Sequence, residues 1–281
     1  MEISALVMAA VLASAMLHAG WNALLKSSPD KALENTALAV ARGLLALAAA
    51  PFLPLPAPAA WPWLLASVLV HIAYFWALVA AYRWGDLSFT YPVMRGGAPA
   101  LVAVAGVFAF GEVLPWAEAA GVALICLGVL GFAAVRHGDA LARRKALGFA
   151  LLNAAVIATY TLIDARGVRV SQAPVAYAIW FFLANSVVQS SIGFASRGAE
   201  VVPYLLRHWP RVLLGGLFTL GAYGTALWAM AHAPAALVAA LRETSVLFAA
   251  AIGALFLGER FTRQAALATL AVLAGLVALR L

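Results

Sequence analysis

Charge is what this sequence has least of. Asp, Glu, Lys and Arg together make up 10% of its 281 residues, where a soluble domain carries about 25%. So few ionisable groups cannot cover a water-facing globule of this size, and the natural solvent of the chain is lipid. Cysteine is nearly missing as well. Cys126 stands alone, which excludes a disulfide framework and a cysteine-built metal site. It lies in an apolar run and reads as a packed small residue. The five histidines are scattered. No His-Glu-x-x-His occurs, and no glycine-rich phosphate loop follows a strand pattern. The residues therefore offer no catalytic set, no metal site and no cofactor site. The net charge of +7 is dispersed over short connectors and is not gathered into a stripe with interleaved aromatics. That excludes a nucleic-acid partner and points to a multi-pass membrane protein.

What the chain has is apolar length: 65% of its residues are hydrophobic and the mean hydropathy is +0.98. About 20 apolar residues are needed to cross roughly 30 Å of hydrocarbon. That ruler predicts an all-α integral membrane fold of ten spans, at 3–25, 35–54, 62–82, 88–110, 115–135, 146–165, 174–195, 211–231, 234–257 and 262–280. The first is too long and too poorly flanked for a cleaved leader and reads as a span. Pro234 ends one helix and begins the next. Ten spans put both termini on one side. The opposite side receives Lys26, Lys31, Arg83, Arg136, Arg143, Arg144, Lys145, Arg197, Arg207, Arg211, Arg260 and Arg263, and the terminus side only Arg166, Arg169 and Arg280. The positive-inside rule then places both termini on the non-cytoplasmic face.

The chain also repeats itself. At an offset of 147 positions Arg95 matches Arg242, Gly106 matches Gly253, Gly111-Glu112 matches Gly258-Glu259, and Gly128 matches Gly275. "HAGWNALLK" and "ATYTLIDAR" correspond more loosely at a shorter offset. The expected organisation is two five-helix repeats, 1–140 and 141–281. An odd number of spans per repeat makes the second enter the membrane inverted. Secondary carriers use this plan, with binding near the midplane. Arg95 and Arg242 each lie about eight residues, or roughly 12 Å, into their helices. Entering from opposite faces, both arrive near the bilayer centre, where each guanidinium costs about 2.5–3.5 kcal/mol. A guanidinium fork suits a carboxylate or phosphate.

Other polar residues inside spans extend the candidate site. Ser14, His18, Asn22 and Lys26 recur every four residues on one face of the first helix, with Trp21 beside them. His71 and Tyr74 share a face of the third span, Tyr160 and Asp164 of the sixth, and Tyr223 occupies the eighth. Rings and amides suit a cavity for small amphipathic solutes, and ordinary interhelical packing is the plain alternative for each residue. Glu243, Arg42 and Asp164 are candidate counter-charges, with Arg42 expected to balance Glu243 or a backbone carbonyl. Arg242 and Glu243 are adjacent, about 100° apart around a helix, so each must find its partner on another span. Glu243 and His18 are candidates for proton coupling. Glu112 and Glu259, at helix ends, are expected to accept backbone hydrogen bonds at the start of the next helix.

"LRETSVLFAAAIGALFLGER", "HAGWNALLK", the "FGE" and "LGE" endings of the fourth and ninth spans, and the two-half plan resemble the drug/metabolite transporter superfamily in its EamA-type branch, over essentially the whole chain. The resemblance implies a multi-pass carrier of a bacterial inner membrane. It would be an exporter of amino acids or related small metabolites, working by alternating access through a central cavity, with lipid and a small metabolite as its partners. Nothing in the residues calls for more than a monomer. A multidrug or lipophilic-cation efflux carrier is the alternative, which the arginines disfavour. An intramembrane enzyme and an assembly subunit are the other classes weighed.

Overall fold

The computed structural model describes residues 3–85, 87–133, 140–256 and 263–279. Every regular element among them is helical: α1 (Ala5–Ser27), α2 (Lys31–Ala49), α3 (Trp61–Trp84), α4 (Leu87–Phe110), α5 (Trp116–Leu130), α6 (Ala140–Val170), α7 (Pro174–Met230), α8 (Ala235–Arg242), α9 (Ser245–Phe256) and α10 (Arg263–Ala278). Helices are the state that pairs every backbone amide without help from the solvent, as hydrocarbon demands. Among the described residues seven stretches are long and apolar enough to cross a membrane, and two shorter apolar helices accompany them. Large apolar side chains such as Phe52, Phe108 and Leu255 point outward, as a lipid-facing surface requires.

The spans differ from the expected ones in three places. The expected seventh and eighth spans are the two ends of α7, set off by kinks from a short helical piece that joins them. α7 departs from helical geometry only at Arg197 (φ −142°, ψ 31°) and His208 (φ −117°, ψ 19°), so its connector is itself helical. Pro210 contributes to this second break by withholding an amide two residues on. The expected ninth span is interrupted: α8 ends at Arg242, Glu243 and Thr244 form a turn, and α9 begins at Ser245. The expected fifth span is only 15 residues long as α5, roughly 22 Å, because the chain turns at Gly131.

Small residues set the packing. Gly43 and Gly193 let α2 and α7 approach, with Ser186 and Thr36 filling the space a side chain would need. Residues 209–230 lie on α1, where Gly20 meets Phe218 and Ser14 donates a hydrogen bond to the Ala222 carbonyl at 2.5 Å. At the centre sits α8, with every residue from Ala235 to Arg242 buried.

The membrane-flanking connections are tied by charge. Asp30 caps α2 through Ala32 N and Leu33 N and pairs with Arg197 at 3.0 Å. The Leu33 amide, with Arg197, holds its carboxyl below the usual carboxylate range. Fully buried Glu34 accepts from Tyr204 Oη at 2.5 Å and Arg211 Nε at 3.1 Å. On the other face Glu112 does cap a helix, but not the next one. Its Oε2 accepts from Ala235 N at 3.0 Å, at the start of α8, and its Oε1 meets Arg169 at 2.6 Å. Pro234 has no side-chain oxygen to offer there, so the cap comes from the segment that follows α4. Glu112→Ala should lower stability by about 1–2 kcal/mol, with Glu112→Gln losing less. Thermal unfolding in detergent reads the difference, and equal loss in both would remove the capping role. Glu259, Gly258, Arg136, Arg260 and Arg280 lie outside the described residues.

Candidate functional site

Arg95 lies on α4 between two in-helix prolines, Pro92 and Pro99. Neither has an amide hydrogen to give, so the carbonyls one turn earlier go unpaired, and such sites are tolerated in membrane helices where neighbours compensate. Across from it, Glu243 stands at the turn between α8 and α9, next to Arg242 in sequence but on another side of the helix. Arg95 Nε donates to Glu243 Oε2 at 2.9 Å. Nη2 approaches Oε1 at the same 2.9 Å, close enough for attraction but with no N–H aimed at it. Both groups are buried. The pair joins the two halves of the chain at the bundle centre.

Arg242 is different. It is 7% exposed, and its Nε is buried without a hydrogen-bond partner. Its guanidinium lies 5.0 Å from the centre of the Tyr223 ring. Tyr223 belongs to a ring cluster from α3, α6 and α7. His71 stands 4.2 Å from Tyr160, 5.0 Å from Phe181 and 6.1 Å from Tyr223, and Tyr74 is 5.9 Å from Tyr160. Beneath them Asp164, with no exposure, accepts hydrogen bonds from Tyr177 Oη at 2.9 Å and Tyr223 Oη at 2.5 Å. Tyr223 thus holds a carboxyl with its hydroxyl and a cation with its face. Ring faces attract guanidinium through their quadrupole.

A cleft of about 320 Å³ between α3 and α7 reaches His71, Asn185 and Gln189 from the lipid-facing side, past Ile72 and Trp76. It is a flank of the central cluster, separated from Arg242 by the rings.

Residues 144–281, the second half of the chain, match the model of the EamA-like transporter family. The second half of the chain is EamA-like. The long apolar helices of the chain make it a multi-pass membrane protein. A solved crystal structure of a protein superposes on 97% of this chain and 94% of its own, with a TM-score of 0.72 at 18% identity, a likeness of fold. A WAT1-related protein of Arabidopsis thaliana is 29% identical over 104 residues, which is 36% of this chain and 29% of that protein's length. The match to that relative therefore spans less than a third of it.

In this chain the structure brings Arg95, Arg242, Glu243, His71, Tyr74, Tyr160, Tyr223 and Asp164 together. His18 on α1 lies within electrostatic reach of Arg95 and Arg242, and its direct contacts are local, with Trp21 and Asn22. Trp21 Nε1 donates to His18 Nδ1 at 3.3 Å, and Asn22 donates back to the His18 carbonyl at 2.8 Å. Among the described residues the rings of His18 and Trp21 pair only with each other. One expectation is corrected. Arg42 balances neither Glu243 nor a backbone carbonyl; it donates to Ser186 Oγ, Asn185 Oδ1 and Gln189 Oε1 on α7. Neutral dipoles surround it because α2 packs on α7 and not on α8. Asp164 touches no arginine directly: its oxygens accept from two tyrosine hydroxyls, and Arg242 acts on it through space. Tyr177, Phe181 and Ser186 escaped the sequence reading. Tyr177 lies 13 positions from Asp164 across the α6–α7 hairpin, and no periodicity on one helix reports such a contact. A buried carboxyl needing donors was the only available hint.

Proposed function

We propose that this chain is a secondary carrier for amino acids or related small metabolites, an exporter that alternates access between two inverted five-helix repeats, 1–140 and 141–281. One observation carries the reading: a ring-lined centre in which Arg242 faces Tyr223, beside an ion pair that links the halves. Charge at that depth is costly and marks solute or ion paths, and the broken α8–α9 helix is the kind of element that carriers bind through. The repeat is supported by α5 and α10. Gly128 packs on Ala268 and Val272, and Gly275 packs on Gly121 and Ile125. Each of these three correspondences is separated by the same 147 positions, as two elements related by a twofold would be. The charge tally supports termini on the non-cytoplasmic face.

Counterflow in proteoliposomes tests the function. Purified protein is reconstituted with a trapped panel of amino acids and organic acids, and uptake of the labelled solute is followed. Accelerated exchange of at least one is expected. Exchange of tetraphenylphosphonium with none of the acids would instead establish the lipophilic-cation carrier.

A further inference from the structure

The two arginines are equivalent in sequence and inequivalent in space, and the reason is the residue that follows each. Arg95 is followed by Gly96, and Arg242 by Glu243. The α5–α10 contacts obey the 147-position correspondence in both directions, so the reach of Arg95 to Glu243 has a mirror image: the reach of Arg242 toward Gly96. No side chain waits there. Nor could one, because a Cβ on Gly96 would stand 2.8 Å from Leu130 and 2.9 Å from the Cys126 carbonyl of α5. Arg242 is therefore left without an acid in contact, and Glu243 and Asp164 act on it only through space. Among the described residues it makes no ion pair and no hydrogen bond, although it is 7% exposed. The C-terminal carbonyls of α8 and the Tyr223 ring ease its burial, but neither supplies a full counter-charge, and a guanidinium cannot shed its proton to escape.

The carboxyls nearby are committed elsewhere. Glu243 is held by Arg95, and Asp164 by the hydroxyls of Tyr177 and Tyr223. An ammonium group arriving at this centre meets no carboxyl without hydrogen-bond donors already in place. We infer that Arg242, and not Arg95, receives the anionic group of the solute, and that the preferred solute is an organic anion with a flat apolar body and no ammonium. The carboxylate takes the guanidinium, and the body lies against Tyr223, Tyr160 and His71. Arg95 belongs to a structural tie between the halves. This rests on the carrier reading above and narrows its substrate class.

A matched trio of probes tests it on the detergent-purified full chain: 3-phenylpropanoate, phenylalanine and phenethylammonium, which present one ring with a carboxylate, with both groups, and with an ammonium alone. Thermal protection should be strongest with 3-phenylpropanoate, weaker with phenylalanine and absent with phenethylammonium. Arg242→Gln should weaken protection by 3-phenylpropanoate at least 10-fold, and Arg242→Lys should restore part of it. The double change Arg95→Gln with Glu243→Gln should leave the order of the three intact. Ligand-free Arg242→Gln should also melt higher than the parent protein, because it removes a buried charge that has no partner in contact. A lower melting temperature would assign Arg242 a structural partner and overturn the inference. Tighter phenylalanine, undiminished protection of Arg242→Gln, or no protection by any probe would overturn it too. Counterflow of other solutes would, in each of these cases, leave the carrier reading standing.

Discussion

Glu243→Met is expected to destabilise the protein by about 3–5 kcal/mol, the cost of stranding one member of a buried ion pair. The geometry makes this pair a strong case, since a directed 2.9 Å hydrogen bond lies within it and both side chains are buried. The two single changes should not be equal. Glu243→Met leaves Arg95 charged in a dry site, and guanidinium stays protonated under all working conditions. Arg95→Met leaves a carboxyl, which can discharge by taking up a proton, so its cost should be smaller. Replacing both partners by methionine should recover most of the loss, because the desolvation of both ions is then avoided. Unfolding in detergent, arranged as a double-mutant cycle, reads all three quantities. Single changes that each cost under about 1 kcal/mol would demote the pair to an incidental contact.

The second large effect is steric. Gly128→Val and Gly275→Val should each prevent α5 and α10 from closing. At Gly128 a Cβ would lie 2.9 Å from the Ala268 carbonyl and 2.9 Å from the Val272 amide; at Gly275 it would lie 2.8 Å from the Gly121 carbonyl. These are backbone atoms, and they cannot rotate aside as a side-chain end does. Overpacking a yielding core costs about 1–3 kcal/mol, and a clash against two helix backbones should exceed that range. Helix association in lipid depends on such close approach, since lipid tails are as apolar as the helices themselves. Gly148→Val is the control, because nothing lies within 4 Å of its Cβ position. Folded yield by detergent size-exclusion chromatography should fall several-fold for Gly128 and Gly275 and stay level for Gly148. Level yields for all three would mean that α5 and α10 do not pack through these glycines.

The same two regions show how far the residues could be read without coordinates. Arg95 and Arg242 stood out because a guanidinium in a greasy run is costly wherever the run ends up, and the match between Gly128 and Gly275 came from spacing alone. What spacing could not reveal was partnership. Arg42, Arg95 and Arg242 look alike in sequence, yet one sits among neutral amides, one holds an acid and one holds none. Glu112 read as a helix-end acceptor and is one, but the helix it caps begins 123 positions later.

Composition, apolar run length and internal repetition by themselves determined that this chain lives in lipid, crosses it many times and carries charge at its middle, because hydrocarbon penalises charge and unpaired amides regardless of fold. Which charges neutralise one another, where α7 kinks and where the ninth span breaks were decided only in the folded protein. Those outcomes depend on distances between helices far apart in the chain, and the period of a single helix carries no record of them.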